Sequence, residues 1–348
     1  MDLFELTRKL IDIPSVTGDE NSVGMFLTSN LERLGYRVQK QEVENKRFNV
    51  IASTEASPRV VLSTHMDTVP PHIPSKEDAD RIYGRGACDA KGIIAAQIMA
   101  AEELRRSGVN EIGLLFTVDE EMSSAGARVA NQNKLAGQTE YLINGEPTDN
   151  KLATATKGSL RLTVTTSGKA SHSAYPEYGE SAIEKLLDVL ESLRRCDWPS
   201  DKVLGATTCN IGVISGGTRP NVTPAEAAAD LQLRIINRAD SIKTMIEDTV
   251  AGRAEVQYLS ENDPVHLVTI DGFEQCVVRF TTDIPYLSNW GAPLLLGPGS
   301  ILNAHTDHEF VEKRELTEAL ELYASLARSL LAKARQTRFT KFAEGAPR

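Results

Sequence analysis

Apolar residues along the chain fall into two textures. In the first, continuous apolar runs alternate with stretches of helical spacing. Leu3, Leu6 and Leu10 share one face of "DLFELTRKLI". Val23, Phe26, Leu27, Leu31 and Leu34 keep the same period in "ENSVGMFLTSNLERLG", where Gly35 supplies a stop. The runs "FNVIAS", "RVVLST", "GLLFTV" and "YLING" read as strands covered on both faces. Between the second and third lies a helix, "KGIIAAQIMAAEELRRSG", ended by Gly108. Alternation of this kind predicts an α/β domain over 1–157, with a mixed, mainly parallel sheet and flanking helices.

From residue 158 the pattern changes. "LRLTVTTSG" alternates through Leu160, Leu162 and Val164, as a strand with one covered face does. A helix ("SAIEKLLDVLESLRR"), two alternating strands ("TTCNIGVISGG", "AAADLQLRII"), a helix ("SIKTMIEDTVAG") and a strand ("EVQYLSE") follow. That order is βαββαβ, the split-βαβ, ferredoxin-like α+β arrangement, over 158–264. The first texture returns in 265–348 with "APLLLGPGS" and a closing helix carrying Leu316, Leu320, Tyr323, Ala327 and Leu330 at helical spacing. The expected architecture is an α/β domain interrupted by a small α+β insertion, with "TRFTKFAEGAPR" as a loose tail.

Composition narrows the function. With 348 residues, 41% of them hydrophobic and 25% charged, and a mean hydropathy of -0.25, the chain has the make-up of a globular protein of two domains. A net charge of -10 offers no basic field for phosphates, which argues against a nucleic-acid partner. No apolar run reaches membrane-spanning length, and the charged, amphipathic start is unlike a signal peptide. Cys88, Cys196, Cys209 and Cys276 lack CxxC spacing, so a cytoplasmic setting is expected, without disulfides or a thiolate metal site.

Several apolar runs of the first texture end in residues able to bind a metal. "RVVLSTHMD" ends at His65 and Asp67, "GLLFTVDEE" at Glu120 and Glu121, and "YLINGE" at Glu146. "APLLLGPGSILNAH" passes through a glycine loop to His305, and Asp89 precedes a helix in "YGRGACDAKGI". Ligands of open α/β sheets gather outside the carboxyl ends of the strands. Taken singly, Asp89 is equally well a helix N-cap, Glu146 a turn residue and a strand-end histidine a structural one. Together they predict one or two zinc-like ions, with oxygen-rich ligation that also admits cobalt or manganese. A metal would also explain why a buried strand delivers Asp119, Glu120 and Glu121 to one point, since adjacent carboxylates repel.

"STHMDTVP", "YGRGACDAKG", "TVDEE", "NGEPTD", "KASHSAYPEYGESAI", "GGTRPNVTP" and "GPGSILNAHTDHEFV" together resemble the M20 metallopeptidase family, in order over about residues 5–335. The branch they most resemble is that of acetylornithine deacetylase and succinyl-diaminopimelate desuccinylase. The resemblance implies a zinc-peptidase-like catalytic domain, a lid and dimerisation domain, and two divalent ions, zinc or cobalt. Asp89 would bridge them, His65 and Glu146 completing one site, Glu121 and His305 the other. Glu120 would be the general base, and Asp67 would hold the His65 ring. His172 would reach a neighbouring subunit's site in a homodimer, and Asn221 and Arg234 would bind an anionic group of the substrate. His308, three residues beyond His305, is the competing ligand; the family's position favours His305. Two departures stand out: "CDAKG" lacks a second acidic residue, and the chain is shorter before His305 than well-known members.

The expected activity is removal of an acyl group from an N-acyl amino acid, acetylornithine being the example. Hydrolysis of di- or tripeptides is the alternative, because the same chemistry attacks any amide. A non-catalytic binding protein would be expected to have lost ligands or base, yet all are present. "GRGACDAKG" has neither Walker nor Rossmann spacing, which sets nucleotide binding aside.

Overall fold

A computed structural model describes the backbone of residues 1–344 and the side chains through residue 333. The chain divides into two compact units, Met1–Thr154 with Leu267–Cys276 and Thr282–Arg348, and Ala155–His266 with Val277–Thr281. The first crossing thus falls at Thr154, a few residues before the change of texture. The short return of 277–281 to the second unit has no counterpart in the apolar pattern.

The first unit opens with α1 (Leu3–Asp12), whose N-terminus is capped by Asp2 accepting the Glu5 N–H at 2.8 Å, and α2 (Asn21–Arg33). Strands β1 (Arg37–Glu44), β2 (Arg47–Ser53), β3 (Val60–His65), β4 (Ile112–Thr117) and β5 (Tyr141–Asn144) follow, with α3 (Lys91–Arg106) after β3 and α4 (Ala125–Ala130) after β4. The second unit holds β6 (Gly158–Ser167), α5 (Ala182–Arg194), β7 (Thr208–Gly216), β8 (Glu226–Ile235), α6 (Ala239–Val250) and β9 (Glu255–Asn262). The chain returns to the first unit for β10 (Ala292–Leu295) and α7 (Lys313–Glu344). That last helix takes in the first residues of the tail expected to be loose, and 345–348 lie outside the described residues.

The main sheet has the order β1-β2-β4-β3-β5-β10. β4, β3, β5 and β10 are mutually parallel, while β2 and β1 extend one side antiparallel. Every residue of β3 and β4 is buried, as continuous apolar runs require. β1, "RVQKQEVE", alternates exposed with half-buried positions on an edge, so no apolar run announced it. Leu3, Leu10, Leu27, Ile94, Ile98, Leu316 and Tyr323 join the strands in one core.

The second unit's sheet runs β7-β8-β6-β9, antiparallel throughout, with α5 and α6 packed on its apolar face. This is the split-βαβ order. Leu231, Leu233 and Ile235 are buried on β8. No described helix is long and apolar enough to cross a membrane.

Candidate active site

Because β3, β4, β5 and β10 are parallel, their carboxyl ends lie along one edge of the sheet. His65 is the last residue of β3, and Glu120 and Glu121 follow β4. Glu146 follows β5, and the loop after β10 leads to His305. That loop is drawn in closely: a Cβ on Gly297 would lie 2.5 Å from the Glu146 carbonyl oxygen, and one on Gly299 2.5 Å from the Cys88 Cβ. Gly299 also has φ +83°, which a larger residue adopts only with strain.

Asp89 occupies the centre. The first turn of α3 is capped at Ala90 without a side-chain bond, so Asp89 is not spent as an N-cap. Its Oδ1 lies 3.0 Å from His65 Nε2 and its Oδ2 3.4 Å from His305 Nε2. Glu146 Oε2 approaches the His65 side at 3.9 Å, and Glu121 Oε1 the His305 side at 3.0 Å. Each oxygen of one carboxylate thus faces a different histidine, and each histidine has its own glutamate. Donor atoms of His65, Asp89 and Glu121 all lie within 4.8 Å of one another. His308, exposed like His305, donates its backbone N–H to the Thr306 hydroxyl at 3.3 Å.

Charge in this cluster is poorly balanced without a cation. Burial, then Glu146, raises the Glu120 carboxyl well above its ordinary value. Burial, reinforced by Asp89, does the same to Glu146, and burial raises Glu121. Burial opposes a charged His65 ring, but hydrogen bonds to Asp67 and Asp89 outweigh it and raise the ring well above normal. Hydrogen bonds to Asp89 and Glu121 lift His305 to about 10. Among the described residues, Glu146 Oε1 is buried with no hydrogen-bond partner. A buried unpartnered carboxylate oxygen and convergent N and O donors fit divalent ions of the zinc type. The residues present therefore suit the expected pair of metals.

Asp67 lies against the His65 ring and also does more. The Nδ1 of His65 lies 3.0 Å from the Asp67 carbonyl oxygen, closer than the 3.4 Å to its carboxylate. The carboxylate also accepts the N–H groups of Glu120 and Glu121, each at 3.1 Å, and the Thr17 hydroxyl at 2.9 Å. Asp67 thus faces the ring with both its carbonyl and its carboxylate, and the carboxylate also pins the Glu120–Glu121 turn. Asp119, the first of the three successive carboxylates, is paired with Arg47 at 2.9 Å and also accepts from Ser123. Its charge is compensated without any metal.

Two further acids, Glu309 and Asp283, are buried. Glu309 Oε1 accepts the N–H groups of Cys88 and Asp89 at 3.2 Å, while its Oε2 pairs with Arg85 at 2.7 Å. Arg85 also donates to the Thr306 carbonyl at 3.0 Å, tying the Asp89 segment to the His305 loop. Asp283 is buried, accepts from the Thr117 hydroxyl at 2.7 Å, and is raised to about 6 by burial. Glu309 lies in the quoted "HTDHEFV", but only its burial reveals a purpose. "TTDIPYL" carried no periodic signal at all. Lys91, beside Asp89, donates to the Ile13 carbonyl at 2.5 Å and so anchors the end of α1.

His172, Asn221 and Arg234 belong to the second unit. The segments of His172 and Asn221 are stitched together: Ser173 N–H donates to the Asn221 carbonyl at 3.1 Å, and Thr223 N–H to the Ser171 carbonyl at 2.9 Å. The exposed His172 ring accepts the Ala174 N–H on Nδ1 at 3.1 Å, which puts the proton of the neutral ring on Nε2. Arg234 lies beside Thr281, 3.5 Å from its hydroxyl.

A sequence model of peptidase family M20/M25/M40 matches residues 61–329. A peptidase M20 domain-containing protein of Schizosaccharomyces pombe is 40% identical over 333 residues, spanning 92% of this chain and 83% of that protein. A probable carboxypeptidase of Aspergillus terreus is 37% identical over 364 residues, spanning 92% and 84%. Among solved structures, a tripeptidase from Staphylococcus aureus superposes with a TM-score of 0.78 at 22% identity, covering 94% of this chain and 98% of that one. A dinuclear metal-binding M20 peptidase from Bacillus subtilis does so with a TM-score of 0.70 at 16% identity, covering 95% and 98%. The relatives bear the names of peptidases and carboxypeptidases rather than of the deacetylase branch. Matched along most of its length and bearing the donor set such chemistry needs, the chain belongs to peptidase family M20/M25/M40 and is a metallohydrolase of amide bonds.

Proposed function

We propose that this protein is a carboxypeptidase that releases the C-terminal residue of short peptides with the help of two divalent ions. The observation that carries the reading is the division of the Asp89 carboxylate between His65 and His305, with Glu146 and Glu121 to either side. His65, Asp89 and Glu146 would hold one ion, and Asp89, Glu121 and His305 the other. Zinc or cobalt there would supply Lewis-acid polarisation of the scissile carbonyl and of the attacking water.

Glu120 lies in the same cluster but makes no hydrogen bond through its side chain among the described residues, and burial raises its carboxyl well above the ordinary value. It is therefore suited to take a proton from the attacking water and return it to the departing amine. His172, with its proton on the outward Nε2, would donate to the developing oxyanion, reaching it from the second chain of a homodimer. Arg234 and Asn221 would receive the free α-carboxylate, which a planar guanidinium binds in two-pronged fashion.

The choice of carboxypeptidase over N-acyl amino acid deacylase is supported by the relatives of 34–40% identity, which are named peptidase or carboxypeptidase. A panel of N-blocked dipeptides, free di- and tripeptides, C-terminally amidated peptides and N-acetylornithine tests it. N-blocked dipeptides should turn over and their amides should not. Faster turnover of N-acetylornithine, or indifference to amidation, would overturn the assignment.

A further inference from the structure

We propose that Asp283 is a positioning residue for the turn that carries Glu120, an inference that rests on the reading of Glu120 as the base. The turn leaves β4 at Thr117 and enters α4 after Ser124. Asp67 fixes its middle by accepting the Glu120 and Glu121 N–H groups. Asp283 fixes its start. Its Oδ2 accepts from the Thr117 hydroxyl at 2.7 Å, and the Ser124 side chain lies close by.

The segment that follows Asp283 is locked to the far side of the turn. The indole N–H of Trp290 donates to the Ala130 carbonyl at 3.1 Å, and Asn289 N–H to the Asn131 side chain at 2.8 Å. Leu287 and Trp290 pack with Ala127 and Ala130 in one apolar cluster. Asp283 is therefore held on a fixed support, from which it grips Thr117, the residue where the turn leaves β4.

Stability alone does not account for a carboxyl group at this place. Asp283 is 2% exposed, the Thr117 hydroxyl that donates to it is neutral, and among the described residues its Oδ1 is buried without a partner. A buried acid with such weak compensation is costly, and an apolar side chain would serve the core better. The alternative acceptor for the Thr117 hydroxyl, the Thr64 carbonyl, is 3.4 Å away, so Asp283 determines where that hydroxyl points.

The test compares Asp283→Ala, Asp283→Asn and Thr117→Val, together with the double variant Thr117→Val/Asp283→Ala. Asp283→Ala should lower kcat about 10- to 100-fold, the scale of a small misplacement of a catalytic group, with KM and bound metal little changed. Hydrogen exchange of metal-free protein should show faster exchange at the Glu120 and Glu121 amides. Asp283→Asn should retain most of kcat, because its amide oxygen still accepts from Thr117. Thr117→Val should lower kcat, and the double variant should be no worse than Asp283→Ala. Wild-type kcat and exchange in Asp283→Ala, or equal impairment of the Asn and Ala variants, would overturn the proposal. Should Asp283→Ala not fold, the Asn and Thr117→Val variants decide. The exchange measurement is independent of which residue is the base, so failure of Glu120→Ala to impair turnover would count against that assignment alone.

Discussion

Glu120 and Glu121 are adjacent on one turn, held by the same Asp67 carboxylate, yet only Glu121 reaches a histidine of the cluster. Replacing them should therefore have different consequences. Glu120→Ala should keep its metal and lose kcat by about a hundredfold or more, as expected for a lost general base. Glu121→Ala should lose bound metal, read by elemental analysis of the purified protein. Near-normal turnover in Glu120→Ala would mean that another group moves the proton. Glu309 gives a second contrast. Removing it leaves Arg85, whose side chain is 2% exposed, buried and unpaired, so Glu309→Ala should cost about 3–5 kcal/mol in denaturant unfolding. Glu309→Gln keeps acceptors for the Cys88 and Asp89 N–H groups and should fold while binding metal more weakly. Much of this scale was legible, because strand ends can be read from apolar runs and the polar residues beside them stand out. What was not legible depended on distant partners. Asp119, Glu120 and Glu121 look alike in the sequence, and only Arg47, 72 residues away, singles out Asp119 as structural.

The elements position the cluster through strand direction and one close-packed loop. Four parallel strands deliver their polar ends to one edge, and the glycine loop after β10 brings His305 back to it. The parallel strands were legible because burial on both faces leaves continuous apolar runs. β1 was not, because an edge strand with few buried positions leaves no run, and Asp283 follows a stretch without periodicity. The glycine loop separates two effects of substitution. Gly108, with φ +84° and open space around a would-be Cβ, ends α3; alanine there should cost about 1–2 kcal/mol of backbone strain and leave turnover unchanged. Gly299 has nearly the same φ, but its Cβ would collide with Cys88, next to Asp89. Gly299→Ala should add to that strain a displacement of Asp89, seen as weaker metal binding and lower kcat. Equal behaviour of the two variants would mean that the loop is not what sets the position of Asp89.

At the scale of the whole molecule, the proposed groups are shared between two units, with the metal cluster in one and His172, Asn221 and Arg234 in the other. The change to alternating strands matches the antiparallel sheet of β6 to β9, whereas the return of 277–281 to the second unit has no apolar signature. The proposal that His172 acts from a second chain draws support from the second unit's own sheet. β7 is its edge strand, with Val213 and Ile214 each 56% exposed, and an uncovered apolar edge is the kind of surface that pairs with a copy of itself. His172→Ala should lower kcat without changing metal content or folding, because it removes a contact made in the transition state. The decisive measurement mixes His172→Ala with Glu120→Ala, each nearly inactive, under conditions that exchange subunits. If His172 acts across the interface, each mixed dimer assembles one complete site from Glu120 of one chain and His172 of the other. Its activity should then recover to about half that of the wild-type dimer, the share set by two-fold symmetry. Full exchange with no recovery, or a monomer with undiminished turnover, would confine His172 to its own chain and remove the dimer from the mechanism.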